Sequence, residues 1–374
     1  MTNFFSYEEL TWPEIAALPR TTPLVIPLGK GYKYELLAES LGNPSRVGIL
    51  PPVPFGWQGS GLTVSESTLS RFLQNLIQSL RDDSFSRVFA LKPPGINLDL
   101  GGSSISLPSS DSNLPLMPGD QHHDKVILIP IGHTEQHGYH LPMSTDTIII
   151  EAISRKTASA TLNKALSLPV MPYGVSTHRS SFAGTLNAGG RAFEDFWLDV
   201  VSSLANRGFN KIYFLSGHGG NVSFLVNVTK YAGERFPQIF CATSYLYLSG
   251  PQGIEALQSM RQSPLGGMGH ACELETSFLL HLEPGLVHMD RVVDETNFIT
   301  TPSYYMDWIE GGALIANPPW EDDSATGAYG AGSLGTAEKG AYWLAAAVDE
   351  KVGHVDEIHE QQRRRIVVRA GKNR

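Results

Sequence analysis

Downstream of residue 124, short apolar runs rich in β-branched residues alternate with longer stretches whose apolar positions recur at helical spacing. KVILIPI precedes a helix predicted over 146–164, LSLPVM one over 191–207, KIYFLS one over 220–235, and QIFCATSYLYL one over 273–282. Strands buried on both faces of a parallel sheet read as continuous apolar runs, and the intervening helices cover those faces. The pattern predicts an α/β fold, a mainly parallel sheet flanked by helices. In such sheets ligands gather at the carboxyl ends of the strands, so chemistry is expected in the residues that follow each run.

A weaker copy of the pattern precedes it. TTPLVIPLG (21–29) parallels DKVILIPIG (124–132), ILPPVPFG (49–56) parallels LSLPVMPYG (166–174), and SRVFALKPPG (86–95) parallels NKIYFLSGHGG (210–220). The polar positions differ: Tyr32 and Tyr34 stand opposite Glu135 and His137, and Pro94 opposite His218. A neutral phenol or a proline cannot replace such a Glu/His/His set. Residues 1–95 are therefore expected to fold as a degenerate half-repeat without metal ligands, structural or gating. The Gly-, Ser-, Pro- and Asp-rich segment 96–124 reads as a linker, 125–360 as the main domain, and the basic end 361–374 as a solvated, frayed tail.

Composition narrows the partners. With 28 Lys plus Arg against 37 Asp plus Glu, the net charge of −9 argues against a nucleic-acid partner needing a broad basic face. Only Cys241 and Cys272 occur, which excludes a disulfide framework and fits a reducing compartment, where a zinc site has to use His and carboxylates. The acidic start lacks the basic region of a signal peptide, and no apolar run approaches the roughly 18 residues of a membrane span. A cytoplasmic protein without a membrane partner is expected.

Three segments carry chemistry. IGHTEQHGYHLPMSTDT (131–147) concentrates Glu135, His137, His140 and Asp146 after a strand; Glu135 and His137 point to one side in extended backbone, and Gly138 and Pro142 bend the chain so that Asp146 can return to them. In FLSGHGGNVSF (214–224), glycines beside His218 leave its imidazole uncovered, and Asn221 suits a helix cap. GGMGHACELETSFLLHL (266–282) brings His270, Glu273 and Glu275 into an apolar helix; at helical spacing 270 and 273 share a face, whereas 273 and 275 are about 200° apart. Such an oxygen- and nitrogen-rich set suits Zn, Mn or Fe(II). A shared Asp146 could bridge two ions, which would supply hydroxide at neutral pH.

TEQHGYHLPMSTDT, SGHGGN and HACELETS resemble the three signature segments of the creatininase (creatinine amidohydrolase) family, over roughly 125–360. The resemblance implies that Glu135, His137, Asp146 and His218 hold a metal pair and that His270 is a proton shuttle. Creatininase itself has a Glu where this chain has Gly220, so Glu273, on the face of His270, is taken as the replacement ligand and Glu275 as a supporting catalytic residue. YGVSTHRSSFAGTL (173–186) resembles the substrate-side loop of the family, with Arg179 and Ala183 in place of the common His and Pro. His178, Arg179, Asn221, Tyr304 and Trp308 are candidate substrate contacts, although Tyr304, Tyr305 and Trp308 serve equally as oligomer contacts. The implied protein is a homo-oligomeric metallohydrolase, two divalent ions per subunit, opening a small cyclic amide or related carbonyl compound. Its rivals are a non-catalytic metal-binding scaffold and a two-metal phosphoesterase, the latter short of phosphate-binding cations beyond Arg179.

Overall fold

The computed structural model describes residues 1–110, 118–177, 181–309 and 311–372. It is an α/β structure of two parallel sheets with helices on their faces. The first sheet has the order β1-β3-β2-β4-β5, from β1 (Asn3–Ser6), β2 (Leu24–Pro27), β3 (Arg46–Ile49), β4 (Val88–Lys92) and β5 (Ser104–Ser106). The second has the order β7-β6-β8-β9, from β6 (Val126–Ile131), β7 (Ala165–Ser167), β8 (Lys211–Ser216) and β9 (Phe240–Thr243). A small antiparallel pair, β10 (Met268–His270) with β11 (Tyr329–Gly330), lies apart from both.

The two sheets share more than strand order. Leu24 pairs with Val88 and with Gly48 in the first sheet, as Ile127 pairs with Ile212 and with Leu166 in the second. Beyond the strand ends Leu28 bridges Val53 as Ile131 bridges Met171, and at the far edge Ala90 pairs with Ser104 as Phe214 pairs with Thr243. The correspondences of β2, β3 and β4 with β6, β7 and β8 fall on the sequence alignment above, whereas the edge strands β5 and β9 lie outside it.

The helices are α1 (Trp12–Ala16), α2 (Tyr34–Ser40), α3 (Glu66–Asp82), α4 (Thr145–Ala160), α5 (Gly190–Asn206), α6 (Val222–Arg235), α7 (Pro251–Met260), α8 (Glu273–Leu282) and α9 (Ala337–Lys372). Four of them fall where the apolar spacing predicts. α3 and α5 join the halves: Phe72 packs on Phe196 with ring centroids 4.8 Å apart, and Phe55 packs on both Phe196 and Trp197. Counted back from Val88 and Ile212, Leu69, Phe72, Leu73 and Leu76 fall opposite Phe193, Phe196, Trp197 and Val200, and all are buried in one core.

Two expectations change. The linker contains β5, which completes the edge of the first sheet, and the basic end up to Lys372 continues α9, with Arg369 donating to the carbonyls of Pro237 and Gln238. Among the described residues no helix is long and apolar enough to cross a membrane.

Candidate metal centre

The carboxyl ends of β6 and β8 and the β10–α8 junction converge on one buried cluster. Glu135 and His137 follow β6; Gly138, in the left-handed region at φ 61°, turns the chain back, and Pro142 accepts the Thr145 hydroxyl at 2.7 Å where α4 begins. Asp146 thereby sits in the first turn of α4, where the helix dipole favours a carboxylate. His218 follows β8 through Gly217, whose backbone passes so close to α4 that a Cβ would lie 2.5 Å from the Asp146 carbonyl. Glu275, in the first turn of α8, accepts the Ala271 N–H at 2.5 Å. Ala271 holds a left-handed backbone, φ 48°, and so turns His270 inward immediately before the helix. Glu135, His137, Asp146, His218, His270 and Glu275 are all 0–3% exposed.

Hydrogen bonds fix which ring nitrogen faces the carboxylates. His137 donates Nδ1–H to the Glu135 carbonyl at 3.1 Å, His218 donates Nε2–H to the Val175 carbonyl at 2.9 Å, and His270 donates Nε2–H to the Gln136 carbonyl at 2.7 Å. The opposite nitrogens point inward. His137 Nε2 lies 3.2 Å from Asp146 Oδ1; His218 Nδ1 lies 2.9 Å from Glu135 Oε1 and 3.2 Å from Asp146 Oδ2; His270 Nδ1 lies 3.9 Å from Glu135 Oε1. Acceptor atoms behind each imidazole, holding its free lone pair toward the site, are the usual support of a metal-ligating histidine.

Electrostatics point the same way. Burial alone pushes the His218 imidazole down, but Glu135 and Asp146 reverse this and lift it to about 9. His137 is likewise raised, burial being outweighed by Asp146, Glu275 and Glu135. Asp146 is held below the ordinary aspartate range because His137 and His218 outweigh its burial and the repulsion of Glu135. Three buried carboxylates thus draw positive charge into the site. Three overlapping sets bring their ligand atoms within 4.8 Å of one another: His133, Glu135 and His218; Glu135, His137 and His270; and His137, Asp146 and Glu275. The carboxylates of Glu135, Asp146 and Glu275 with the inward nitrogens of His137 and His218 fit a divalent cation.

The family model described as creatininase, creatinine amidohydrolase, matches residues 115–355. The chain belongs to the creatininase family. A mycofactocin precursor peptide peptidase of Mycobacterium tuberculosis is 33% identical over 238 residues, covering 61% of this chain and 84% of that one. A creatinine amidohydrolase of Pseudomonas putida is 29% identical over 187 residues, covering 46% and 69%. A solved creatininase in a manganese form superposes with a TM-score of 0.53 at 27% identity, over 65% of this chain and 94% of that one. Creatininase-family membership and the buried donor set together make the chain a metal-dependent hydrolase.

Of the residues singled out in the sequence, Glu135, His137, Asp146, His218, His270 and Glu275 come together; Glu273 does not. Its carboxylate accepts Lys339 Nζ at 2.6 Å and the amides of Gln262 and Ser263 at 3.0 and 2.8 Å, and these hold it below the ordinary glutamate range despite burial. The helical-face argument fails because His270 belongs to β10 and α8 starts only at Glu273. Asn221 is fully buried, its Oδ1 accepting the Val175 N–H and its Nδ2 donating to the Gly132 carbonyl, so it ties two loops together, and it is not among the residues lining the space over the cluster. Trp308 lines the small space over the cluster, together with Tyr245 and Met306, whereas Tyr304 does not. His178 and Arg179 lie outside the described residues.

His133 was missed. It precedes Glu135 and His137 at the same two-residue spacing, which was the available signal. Its Nδ1 accepts the Gly174 N–H at 2.9 Å, which leaves the proton on Nε2, 3.9 Å from Glu135 Oε2. That tautomer orients a carboxylate and does not offer a lone pair to a metal. His140, also buried, bonds Thr276 through Nε2, and burial lowers it to about 4, so it stays neutral.

Proposed function

We propose that this centre hydrolyses an amide C–N bond of a small molecule, with two divalent ions, Zn, Mn or Fe(II), held by Glu135, His137, Asp146, His218 and Glu275. The observation that carries the reading is the set of inward-facing imidazole nitrogens, each backed by a carbonyl, opposite three buried carboxylates. Asp146 suits the shared carboxylate, because one of its oxygens faces His137 and the other faces His218. Bound metal supplies Lewis acidity toward the carbonyl and lowers the pKa of water. His133 and the backbone acceptors hold the ligand side chains in place. His270, fixed through Nε2, carries a proton at Nδ1: it accepts one from the attacking water as the C–O bond forms and delivers it to the leaving nitrogen as the C–N bond breaks.

The free space over the cluster is only about 50 Å³. This favours a substrate that presents a compact carbonyl group, a small cyclic amide first. A short peptide is the second reading, favoured by the 33% identity to the mycobacterial peptidase. Residues 1–95 are proposed as a metal-free copy of the catalytic sheet unit, a reading supported by the shared register and by Tyr32, which fills the position of Glu135 and donates its hydroxyl to the Leu28 carbonyl at 2.6 Å.

The test is metal analysis of the purified protein, then a screen of lactams, formamides, cyclic ketones and short peptides with and without chelator. Chelator-sensitive hydrolysis of an amide is expected. In the His270→Ala variant metal content should stay near the wild-type value while turnover falls about 10²–10⁴-fold. Loss of metal in that variant, or a rate within about threefold of wild type, far short of a general acid's contribution, removes the shuttle role.

A further inference from the structure

Through the shared register, the carboxyl ends of β2, β3 and β4 are the place in the first sheet that corresponds to the metal centre in the second. That end of a parallel sheet is where ligands bind, and here it is open. Two adjoining cavities of about 380 and 350 Å³ meet there, sharing Glu8, Gly29, Lys30 and Pro52 in their walls. Volumes of about 300–1,000 Å³ are those of small-molecule sites.

A metal is not the expected occupant. Tyr32 turns its hydroxyl back onto the Leu28 carbonyl, and burial raises the phenol so that it stays neutral and offers no anionic ligand. What remains is an organic surface. Phe4 and Tyr34, stacked with centroids 4.7 Å apart, line the larger cavity with Tyr32, Ile49 and Leu91. At the throat common to both cavities stand Lys30 and Glu8, and Glu151 adds a second carboxylate to the wall of the smaller cavity. Burial lifts Glu8 to about 7, with Glu9 and Glu151 adding to the shift and Lys30 opposing it, so this acidic pair gains from a further positive charge.

We propose that this cleft is a second ligand site, for a zwitterionic small molecule of the α-amino-acid type with a flat apolar side chain. Lys30 meets the carboxylate, Glu8 meets the ammonium, and the side chain lies along the Phe4–Tyr34 wall. Opposite charges at one throat select a molecule that carries both, and the aromatic wall supplies the apolar burial that charge pairing in water does not. Its walls share no residue with the space over the metal centre, although Thr147 and Glu151 of α4, the helix that carries Asp146, line the smaller cavity.

The test is calorimetric titration of the full-length, metal-loaded protein with L-phenylalanine, phenethylamine and 3-phenylpropionate. L-phenylalanine should saturate one site, and each analogue lacking one charge should bind at least tenfold more weakly. Tyr34→Ala should weaken L-phenylalanine at least tenfold. Lys30→Gln should abolish the preference over phenethylamine, and Glu8→Gln the preference over 3-phenylpropionate, with metal content unchanged in all three. Tyr34 is 45% exposed and Lys30 is exposed, so these variants should fold; unchanged thermal unfolding midpoints verify it. The proposal fails if L-phenylalanine does not saturate, if either singly charged analogue binds equally well, if Tyr34→Ala leaves binding unaltered, or if chelation abolishes it.

Discussion

Glu273 and Glu275 are two residues apart, equally buried, and placed in opposite electrostatic roles. Glu273 neutralises the Lys339 ammonium and caps two loop amides; Glu275 lies against His137 and Asp146. Removing the charge from each should therefore give opposite results. Glu273→Gln leaves Lys339 buried and uncompensated, which costs about 3–5 kcal/mol in comparable pairs, while metal content stays intact. Glu275→Gln should lose metal, because a neutral amide is a poorer ligand than a carboxylate for a hard cation and the site keeps two carboxylates where it had three. Denaturant unfolding together with metal stoichiometry separates the two. A stable Glu273→Gln protein that has lost metal would return Glu273 to the ligand set. The same comparison shows why local spacing misled at this point: angles counted at 3.6 residues per turn hold only within a helix, and the left-handed Ala271 breaks the count between His270 and Glu273.

At the scale of elements, what was legible depended on how local the determining physics is. β6, β8 and the helices α4, α5, α6 and α8 are continuous apolar runs or apolar stripes, and the sequence displays both directly. The common register of β2, β3 and β4 with β6, β7 and β8 has a visible counterpart in the sequence, where runs ending in Pro-Leu-Gly and Pro-Phe-Gly are followed in the same order by runs ending in Pro-Ile-Gly and Pro-Tyr-Gly. β5 was not legible: three residues of Ser-Ile-Ser gain strand character only from the partner strand β4. The stretch after β9 also departs from its apolar appearance, since Leu246 and Leu248 adopt left-handed backbone at φ 46° and 59° and form an irregular turn over the metal centre. The packing of α3 on α5 was hidden for another reason, that a helix face does not name its partner. In this structure corresponding phenylalanines meet, Phe72 on Phe196, at the seam of the two halves. Phe72→Ala and Phe196→Ala should each destabilise by about 3–5 kcal/mol. Because each loses the other's ring, the double variant should cost less than the sum, by about 0.5–3 kcal/mol. Urea unfolding of the three variants measures this, and strict additivity would mean that the rings do not share the seam.

For the molecule as a whole, the metal centre couples stability to pH in a direction that depends on occupancy. Without metal, the folded state holds His218 protonated up to about 9, above the value of about 6.5 for an unfolded histidine. A raised folded value stabilises fully below about pH 6.5 and is lost as the pH climbs through about 9, a change of up to about 3 kcal/mol from this residue. Glu8, lifted to about 7 by burial, destabilises in the same direction, but it does so in both forms and cancels from their difference. Metal reverses the sign at the site. Ligation requires deprotonated imidazoles, so metal binding strengthens over the window in which the metal-free protein weakens. A metal concentration 100-fold above its dissociation constant adds about 2.7 kcal/mol, and that increment should grow from pH 6.5 to 9. Denaturant unfolding with chelator and with saturating Mn or Zn, at both pH values, is the measurement. The chelated protein should weaken as pH rises and the gap between the two forms should widen. A gap that stays constant or narrows would mean that no buried imidazole of this cluster exchanges its proton for the metal, and the assignment of His137 and His218 as ligands would fall with it.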